Sequence, residues 1–129
     1  MVAAALFNDQ GELLIAQRPV GKELAGHWEF PGGKLANGED AADALQRELR
    51  EELAIEVLGS VPFMAVVHEE PDRSLELCLR LVTGWRGKPL GLEGQSFRWV
   101  PLAQLRDADI LEADRPFIVA LQRRGVPPR

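Results

Sequence analysis

Two stretches near the start of the chain carry the short apolar runs typical of strands. The runs "VAAALF" and "LLIAQR" are separated by the turn-rich "NDQGE", and this arrangement predicts a β-hairpin. After the loop-like "GKELAG", the run "HWEF" predicts a short strand that ends at Pro31. Gly32 and Gly33 follow, and they permit a close approach of a ligand that side chains would prevent.

A helical spacing replaces the strand pattern from about Glu39 to Leu53. Leu45, Leu49 and Leu53 recur every four residues, so they predict one buried face of a helix. Asn37 or Gly38 is the predicted start of this helix, because the acidic residues that follow favour the positive end of the helix dipole.

The second half of the chain returns to strands and ends in a helix. The strands "SVPFMAVVHEE" and "SLELCLRLVTGW" are joined around "PDR", and the second places Leu75, Leu77, Leu79 and Leu81 on one face. A further strand is predicted in "SFRWVPL", a short helix in "LAQLRDAD" and a terminal helix in "DRPFIVALQRR", which the tail "GVPPR" cannot continue. The pattern predicts one mixed α/β domain over residues 1–129.

Composition narrows the class of partner. The chain has 129 residues, 46% of them hydrophobic and 27% charged, as in ordinary globular proteins. Its net charge of −5 argues against a nonspecific grip on a nucleic acid polymer. A small polyanionic substrate would have to be received by local cations or metal ions. The lone Cys78, the absence of a basic leader and the lack of an apolar run of membrane-spanning length lead us to expect the cytoplasm and no membrane.

The predicted helix carries three acidic residues in five positions, Glu48, Glu51 and Glu52. At the helical repeat they share an arc of about 100° beside the buried stripe, with Ala44 leaving space above the helix between two of them. Clustered carboxylates suit Mg²⁺, which takes oxygen ligands together with substrate phosphates. A solvated face stabilised by Arg47 and neighbouring arginines explains the same spacing. Helix spacing alone leaves both interpretations open.

The residues around this helix resemble the signature of the Nudix family. The matching positions are Gly33, Glu39, Arg47, Glu48, Leu49, Glu51, Glu52 and Ile55, and the one departure is Ala54, where the family has glycine. If the helix exit needs a left-handed backbone, alanine there costs on the order of 1 kcal/mol.

The resemblance extends to the MutT branch of that family over nearly the whole chain. It is carried by "HWEFPGGK", "REELAIEV", "EEPDRSLEL", "EGQSFRWVPL" and "EADRPFIVAL". It implies a Nudix fold, in which a mixed β-sheet is sandwiched between α-helices. It also implies hydrolysis of 8-oxo-dGTP to the monophosphate and pyrophosphate, a reaction that cleans the nucleotide pool and avoids mutation.

The resemblance further implies a metal site and catalytic roles. Mg²⁺, with Mn²⁺ as a substitute, would be held by Glu48, Glu51, Glu52, Glu93 and the carbonyl of Gly32. Arg47 would orient Glu48 and pair with Glu39. Either Glu48 or Glu93 could take the proton of the attacking water, and both assignments stay open.

The implied substrate-binding residues are Arg18, Glu23, Glu29, Phe30, Pro31, Gly32, Lys34, Arg73 and Asp114. Arg18 and Lys34 are expected at phosphate, although a strand-end surface charge also explains Arg18. Asp114 stands where the best-known MutT enzyme has an asparagine that binds oxidised guanine. Ionised aspartate only accepts hydrogen bonds, so a cytosine amino group is an alternative partner. We interpret His27 and His68 as structural or surface residues and the three tryptophans as core or loop-packing residues.

Three functions are compatible with these residues. The first is an Mg²⁺-dependent 8-oxo-dGTP pyrophosphohydrolase, and the second is the same chemistry on CTP or a modified dCTP. The third is a Nudix ligand-sensing module without catalysis, which the intact set of glutamates disfavours. We expect a small nucleotide as the partner and a monomeric protein.

Overall fold

The computed structural model describes residues 1–105 and 110–125, and it confirms the mixed α/β class. Seven strands, two α-helices and two short 3₁₀ turns follow one another along the described chain. The strands are β1 (Val2–Ala5), β2 (Glu12–Gln17), β3 (Trp28–Glu29), β4 (Gly32–Gly33), β5 (Glu56–Glu70), β6 (Arg73–Arg86) and β7 (Phe97–Pro101). The α-helices are α1 (Ala41–Leu53) and α2 (Arg115–Arg124), and the 3₁₀ turns are Leu102–Gln104 and Glu112–Asp114.

The described chain folds into two compact units. The first unit comprises Met1–Ala5 and Pro31–Glu93, and the second comprises Leu6–Phe30 and the described part of Gly94–Arg129. Each unit contains one sheet and one α-helix. The single domain expected from the sequence stays a prediction.

The sheet of the first unit has four strands in the order β4-β1-β6-β5. β1 runs parallel to β6, and the other neighbours are antiparallel, so the sheet is mixed as expected. On β6 the side chains of Leu77, Leu79 and Leu81 are buried and Leu75 is half-buried, which confirms the predicted alternation. Burial of one face is what fixes the register of such a strand.

Helix α1 begins later than either predicted start. Asp40 is the N-cap, and its carboxylate accepts the backbone N–H of Asp43 at 2.8 Å. Asn37 and Gly38 lie in the turn before it, so the prediction of a start at these residues was wrong. An aspartate side chain satisfies one of the free N–H groups at a helix start, which glycine cannot do.

The buried face of α1 is wider than the leucine pattern indicated. Leu45, Leu49 and Leu53 are fully buried, and the helix packs on β1, β4 and β5. Each such leucine contributes about 1.5–3 kcal/mol through burial. Ala44 is also fully buried, so the space predicted above it does not exist. A small residue there brings the helix close to the sheet.

The exit of α1 adopts the left-handed backbone that the family's glycine would favour. Ala54 has φ 57° and ψ 28°. Its N–H donates to the carbonyl of Arg50 at 3.2 Å, and the N–H of Ile55 donates to the carbonyl of Leu49 at 3.3 Å. These bonds satisfy carbonyls that a helix end leaves free, at the cost of a backbone that alanine disfavours.

The second unit is built on an antiparallel sheet in the order β3-β2-β7. The side chains of Leu13, Leu14 and Ile15 are buried along β2. The predicted terminal helix is confirmed as α2, with Phe117 and Ile118 buried. The helix predicted in "LAQLRDAD" is a 3₁₀ turn over Leu102–Gln104, and residues 106–109 and 126–129 lie outside the described residues.

The predicted hairpin is confirmed around its turn, where Phe7 pairs antiparallel with Leu13, but it does not extend along β1 and β2. The N–H of Asn8 donates to the carbonyl of Glu12, and the N–H of Leu14 donates to that of Leu6, both at 3.0 Å. The strands themselves belong to different sheets, because β1 pairs with β4 and β6 whereas β2 pairs with β3 and β7. Each of these two strands therefore pairs with strands further along the chain and not with the other.

Two further observations bear on expectations from composition. Cys78 is a free, half-buried thiol on β6. No helix in residues 1–105 or 110–125 is long and apolar enough to cross a membrane.

The left-handed exit of α1 yields a stability prediction. We expect Ala54→Gly to raise the free energy of unfolding by up to about 1 kcal/mol, because glycine adopts the observed backbone without strain. Denaturant unfolding would measure the change. The control is Ala42→Gly within α1, which should destabilise by about 1 kcal/mol or less. A loss of stability in Ala54→Gly would contradict the argument.

Candidate functional site

Arg47 is the centre of a charge network in the first unit. Its Nε and Nη2 donate to the two carboxylate oxygens of Glu39, both at 2.9 Å, which is the predicted ion pair. Its Nη1 donates to Glu48 at 2.9 Å and to Glu51 at 3.4 Å. Nη2 also donates to the carbonyl of Lys34 at 3.0 Å. One guanidinium therefore holds three carboxylates and the loop before α1.

This network changes the acidity of its members. The hydrogen bond from Arg47, followed by that from the backbone N–H of Ala36, lowers the pKa of Glu39 from 4.5 to about 2. Hydrogen bonds to Glu39 and then Glu48 raise the pKa of Arg47 further above its already high value. Glu39 and Arg47 thus stay charged throughout the physiological range.

Gly33 leaves the space in which the carboxylate of Glu48 lies. A Cβ added to Gly33 would lie 2.6 Å from Oε1 of Glu48 and 2.5 Å from Oε2, which is less than any real contact distance. A side chain at this position would displace the carboxylate. The glycine on β4 is therefore the surface against which Glu48 rests.

The carboxylates of α1 differ in freedom. The side chain of Glu48 is 15% exposed and that of Glu51 is 56% exposed, while Glu52 is half-buried. In the part of the chain that the structure describes, no group of three His, Cys, Asp or Glu side chains is gathered as a metal site. The donors nonetheless fit a hard divalent cation in kind, since they are carboxylate oxygens from successive turns of one helix. Glu48 and Glu51 face Arg47, and a cation would compete with that guanidinium for them.

Glu93 lies on an exposed turn that is bonded to the end of α1. The N–H of Leu92, the preceding residue, donates to the carbonyl of Glu52 at 3.0 Å. The N–H of Leu90 donates to the carbonyl of Leu53 at 2.9 Å. The backbone therefore brings Glu93 near the end of the acidic helix, and its part in a metal site stays a prediction.

The other predicted residues of the first unit have varied surroundings. Pro31 is buried, and its carbonyl accepts the N–H of Ala4 at 2.9 Å. Gly32 pairs with β1, whose backbone would overlap any added Cβ. Lys34 is exposed, and Arg73 at the β5–β6 turn pairs with Glu70 at 2.8 Å. Roles of these residues in substrate binding stay predictions.

In the second unit, Arg18 is engaged by the chain itself. Its Nη1 donates to Glu29 at 2.9 Å, and its Nε donates to the carbonyl of Glu23 at 2.7 Å. Arg18 thus connects the end of β2, the following loop and β3. Glu23 takes part through its backbone carbonyl, and the residue is exposed to solvent. Arg18 is therefore more than a surface charge at a strand end, because its guanidinium bonds Glu29 and the carbonyl of Glu23.

Asp114 is the most deeply buried acid of the described chain. It is 5% exposed, and its Oδ2 accepts the N–H of Phe30 at 3.2 Å. Burial, opposed by that hydrogen bond and reinforced by the charge of Glu29, raises its pKa from 3.8 to about 7. The Phe30 ring meets that of Phe117 edge-on, with 6.0 Å between the centroids. Two residues predicted to select the base are thus in direct contact.

The sequence did not predict the main-chain N–H groups that form hydrogen bonds at the candidate site. The N–H groups of Leu92 and Phe30 carry no signal in a residue pattern. A cation–π contact was missed as well, with the guanidinium of Arg98 lying 4.4 Å from the ring centroid of Trp28. For His27, the interpretation as structural agrees with its Nδ1 lying 3.1 Å from the carbonyl of Leu24.

Comparison with known proteins shows which proteins this chain is similar to. The family model of the NUDIX domain matches residues 1–121. An "8-oxo-dGTP diphosphatase" of Escherichia coli (strain K12) is 38% identical over 116 residues, which cover 90% of this chain and 90% of that protein. A "CTP pyrophosphohydrolase" of the same organism is 34% identical over 119 residues, covering 92% of this chain and 88% of that protein.

Similarity extends to solved structures. A chain from a structural study of MutT from Aliivibrio salmonicida and Vibrio cholerae superposes with a TM-score of 0.81. It is 38% identical, and the match covers 96% of each chain. Together with the family match, this likeness confirms the fold expected from the resemblance.

The Glu39–Arg47 pair predicts a specific acid sensitivity. Because the pKa of Glu39 is lower in the folded chain, its stabilising effect is complete above pH 4.5 and is lost as the pH falls towards about 2. We expect Glu39→Gln to show a smaller loss of unfolding free energy between pH 5 and pH 2 than the unchanged protein. Denaturant unfolding at each pH would measure it, with the exposed Asp9→Asn as control. Equal slopes for Glu39→Gln and the unchanged protein would contradict the prediction.

Proposed function

Since the chain belongs to the Nudix family of hydrolases, we propose that it hydrolyses a nucleoside triphosphate to the monophosphate and pyrophosphate, with 8-oxo-dGTP as preferred substrate. The observation that carries this proposal is the Arg47 network, in which Glu48 is held against Gly33 beside Glu51. A binding module without catalysis would have no need for this set of oriented carboxylates.

Nudix hydrolases generally use a divalent metal ion, and we propose Mg²⁺ for this chain. Glu48, Glu51, Glu52, Glu93 and the carbonyl of Gly32 would hold it, with Mn²⁺ as a substitute. Bound in this way, a divalent cation lowers the pKa of water and neutralises charge on phosphate oxygens. Arg47 bonds one oxygen of Glu48 and one of Glu51 in the structure, so the cation would use the second oxygen of each carboxylate.

The residues of the chain then have separate tasks in the reaction. A water oxygen forms a bond to the β-phosphorus, and the bond from that phosphorus to the α–β bridging oxygen breaks. Glu48 or Glu93 accepts the proton of the water. Arg47 keeps Glu48 oriented through the 2.9 Å bond from Nη1. Arg18 and Lys34 are the proposed cationic contacts of the phosphates, and Arg73 is proposed near the base.

Asp114 is the proposed determinant of base selection, together with Glu23, Glu29, Phe30 and Pro31. A neutral carboxyl group both donates and accepts, as asparagine does, and it can therefore meet a guanine O6 acceptor and an oxidised guanine N–H. The raised pKa of Asp114 favours this neutral form. Ionised Asp114 would instead accept from the amino group of cytosine. The similarity to a CTP pyrophosphohydrolase makes that second substrate class the specific alternative.

The experiment that tests the proposal is pyrophosphate release from 8-oxo-dGTP, dGTP, CTP, dCTP and 5-methyl-dCTP, each with Mg²⁺ and with EDTA. The highest kcat/KM for 8-oxo-dGTP, abolished by EDTA, is the expected result. A preference for cytosine nucleotides would retain the reaction and replace the substrate. Nucleotide binding without pyrophosphate release would favour a ligand-sensing module.

Removal of one metal carboxylate tests the reaction chemistry. We expect Glu52→Gln to lower kcat on the order of 100-fold or more, because loss of a group that only supports a metal ligand already costs up to about that much. The Mg²⁺ concentration for half-maximal rate should rise, and the unfolding midpoint should change little because glutamine has the same shape. Glu69→Gln on the β5–β6 ribbon is the matched control. Near-normal turnover in Glu52→Gln would show that the metal lies elsewhere.

Asp114 generates a pH prediction in two measurements. As the pH rises through about 7, we expect the kcat/KM ratio of 8-oxo-dGTP to dCTP to fall in the unchanged protein and to stay level in Asp114→Asn. Because the pKa of Asp114 is raised on folding, the contribution of Asp114 to stability is most favourable below pH 3.8 and falls as the pH rises towards 7. Asp114→Asn should therefore stabilise more at pH 8 than at pH 5. A level ratio in the unchanged protein would remove Asp114 from base selection.

A further inference from the structure

We propose that the main-chain N–H of Leu92 positions Glu93 for the reaction, by fixing the turn 90–93 to the end of α1. This inference rests on the proposed function, because it assigns the loop a task only if Glu93 takes part in catalysis. Leu92 acts through its neighbour and is a positioning residue. We call residues 90–93 the Glu93 turn.

Two consecutive backbone carbonyls at the end of α1 accept hydrogen bonds from this turn. Ala54 and Ile55 satisfy carbonyls one turn back, those of Arg50 and Leu49. The carbonyls of Glu52 and Leu53 are instead satisfied by the N–H groups of Leu92 and Leu90, at 3.0 and 2.9 Å. A helix end requires partners for such carbonyls, and here the Glu93 turn supplies them.

Hydrogen bonds, and not side-chain burial, hold the Glu93 turn. The residues Leu90 and Leu92 are each 54% exposed, so burial of their side chains contributes little to anchoring. The N–H of Leu92 also lies 2.9 Å from the carbonyl of Leu90, which closes a tight turn around Gly91. Two anchored residues and a closed turn leave the backbone before Glu93 little freedom.

The beginning of the loop depends on the same helix exit. A Cβ added to Gly87 would lie 3.0 Å from the carbonyl oxygen of Ala54, and Gly87 has φ +112°. The chain thus leaves β6 in close approach to the left-handed residue and returns to α1 at Leu90. The signature position occupied by Ala54 therefore lies beside the segment that carries Glu93.

The functional consequence follows from the anchor's position. The residue that receives the bond is Glu52, a proposed metal carboxylate, and the residue that donates it precedes Glu93. One hydrogen bond thus sets the spacing between two groups of the proposed site. Displacement of a reacting group by about 1 Å can cost on the order of 100-fold in rate.

The test compares Leu92→Pro, which lacks the N–H, with Leu92→Ala, which restores it. We expect Leu92→Pro to lower kcat for 8-oxo-dGTP at least about tenfold with KM changed much less, since the turn positions a reacting group and not the base. Leu92→Ala should recover most of the kcat. Lys88→Pro, in the same loop but outside the Glu93 turn, controls for the added proline.

A double-mutant cycle separates positioning from general damage. In a Glu93→Gln background, Leu92→Pro should cause little further loss of kcat, because the group it positions has already been removed. The inference would be overturned if the double variant lost kcat by the product of the two single losses. It would also be overturned if Leu92→Pro alone left kcat unchanged. A Glu93→Gln variant with unchanged turnover would overturn it as well.

Hydrogen exchange of the unchanged protein keeps the inference testable even if Leu92→Pro does not fold. We expect the Leu92 amide to be protected to a degree similar to the last turn of α1. Exchange at the rate of an open loop would overturn the anchor. A protected Leu92 amide in a protein that releases no pyrophosphate from any nucleotide would refute the proposed function while the anchor stands.

Discussion

The hydrogen bonds of Arg47 are the interaction that holds the candidate site of the first unit together. Glu48, Glu51 and Glu52 lie close together on α1, and like charges at this spacing weaken a helix. The guanidinium offsets that repulsion through its bonds to Glu48 and Glu51, and it draws in Glu39 and the carbonyl of Lys34. The carboxylates can therefore be kept folded and oriented in the absence of a cation. Arg47 thus explains how the helix tolerates so many acids, and the proposed metal site explains what they would do.

The parts of the fold that sequence predicts are those fixed by near neighbours. The four-residue spacing of Leu45, Leu49 and Leu53 and the alternation on β6 were confirmed because each reflects one buried face. The start of α1 was misplaced because the capping carboxylate of Asp40 decides it. The hairpin is limited to the residues around its turn for another reason, since β1 pairs with Cys78 and its neighbours on β6, a register that no local pattern records.

The candidate site divides in the same way. The signature glutamates could be located from sequence because they share one helix, and the Glu39–Arg47 pair follows from the resemblance. What the sequence could not show is that Ala44 is buried, which depends on how closely α1 approaches its sheet. Nor could it show the bond between Leu92 and Glu52, or that between Phe30 and Asp114, because main-chain N–H groups are the donors. Tertiary contacts through the backbone leave no trace in residue types.

In this proposal, the type of reaction and the choice of substrate depend on different numbers of residues. The proposed hydrolysis is spread over several carboxylates and one arginine, whereas the proposed choice of base depends chiefly on the charge of one buried acid. Because Oδ2 of Asp114 accepts from Phe30, the proton of its neutral form is expected on Oδ1. That oxygen then donates when protonated and accepts when ionised. A single proton at Asp114 would thus distinguish the two substrate classes seen among the relatives, with no change in the catalytic carboxylates.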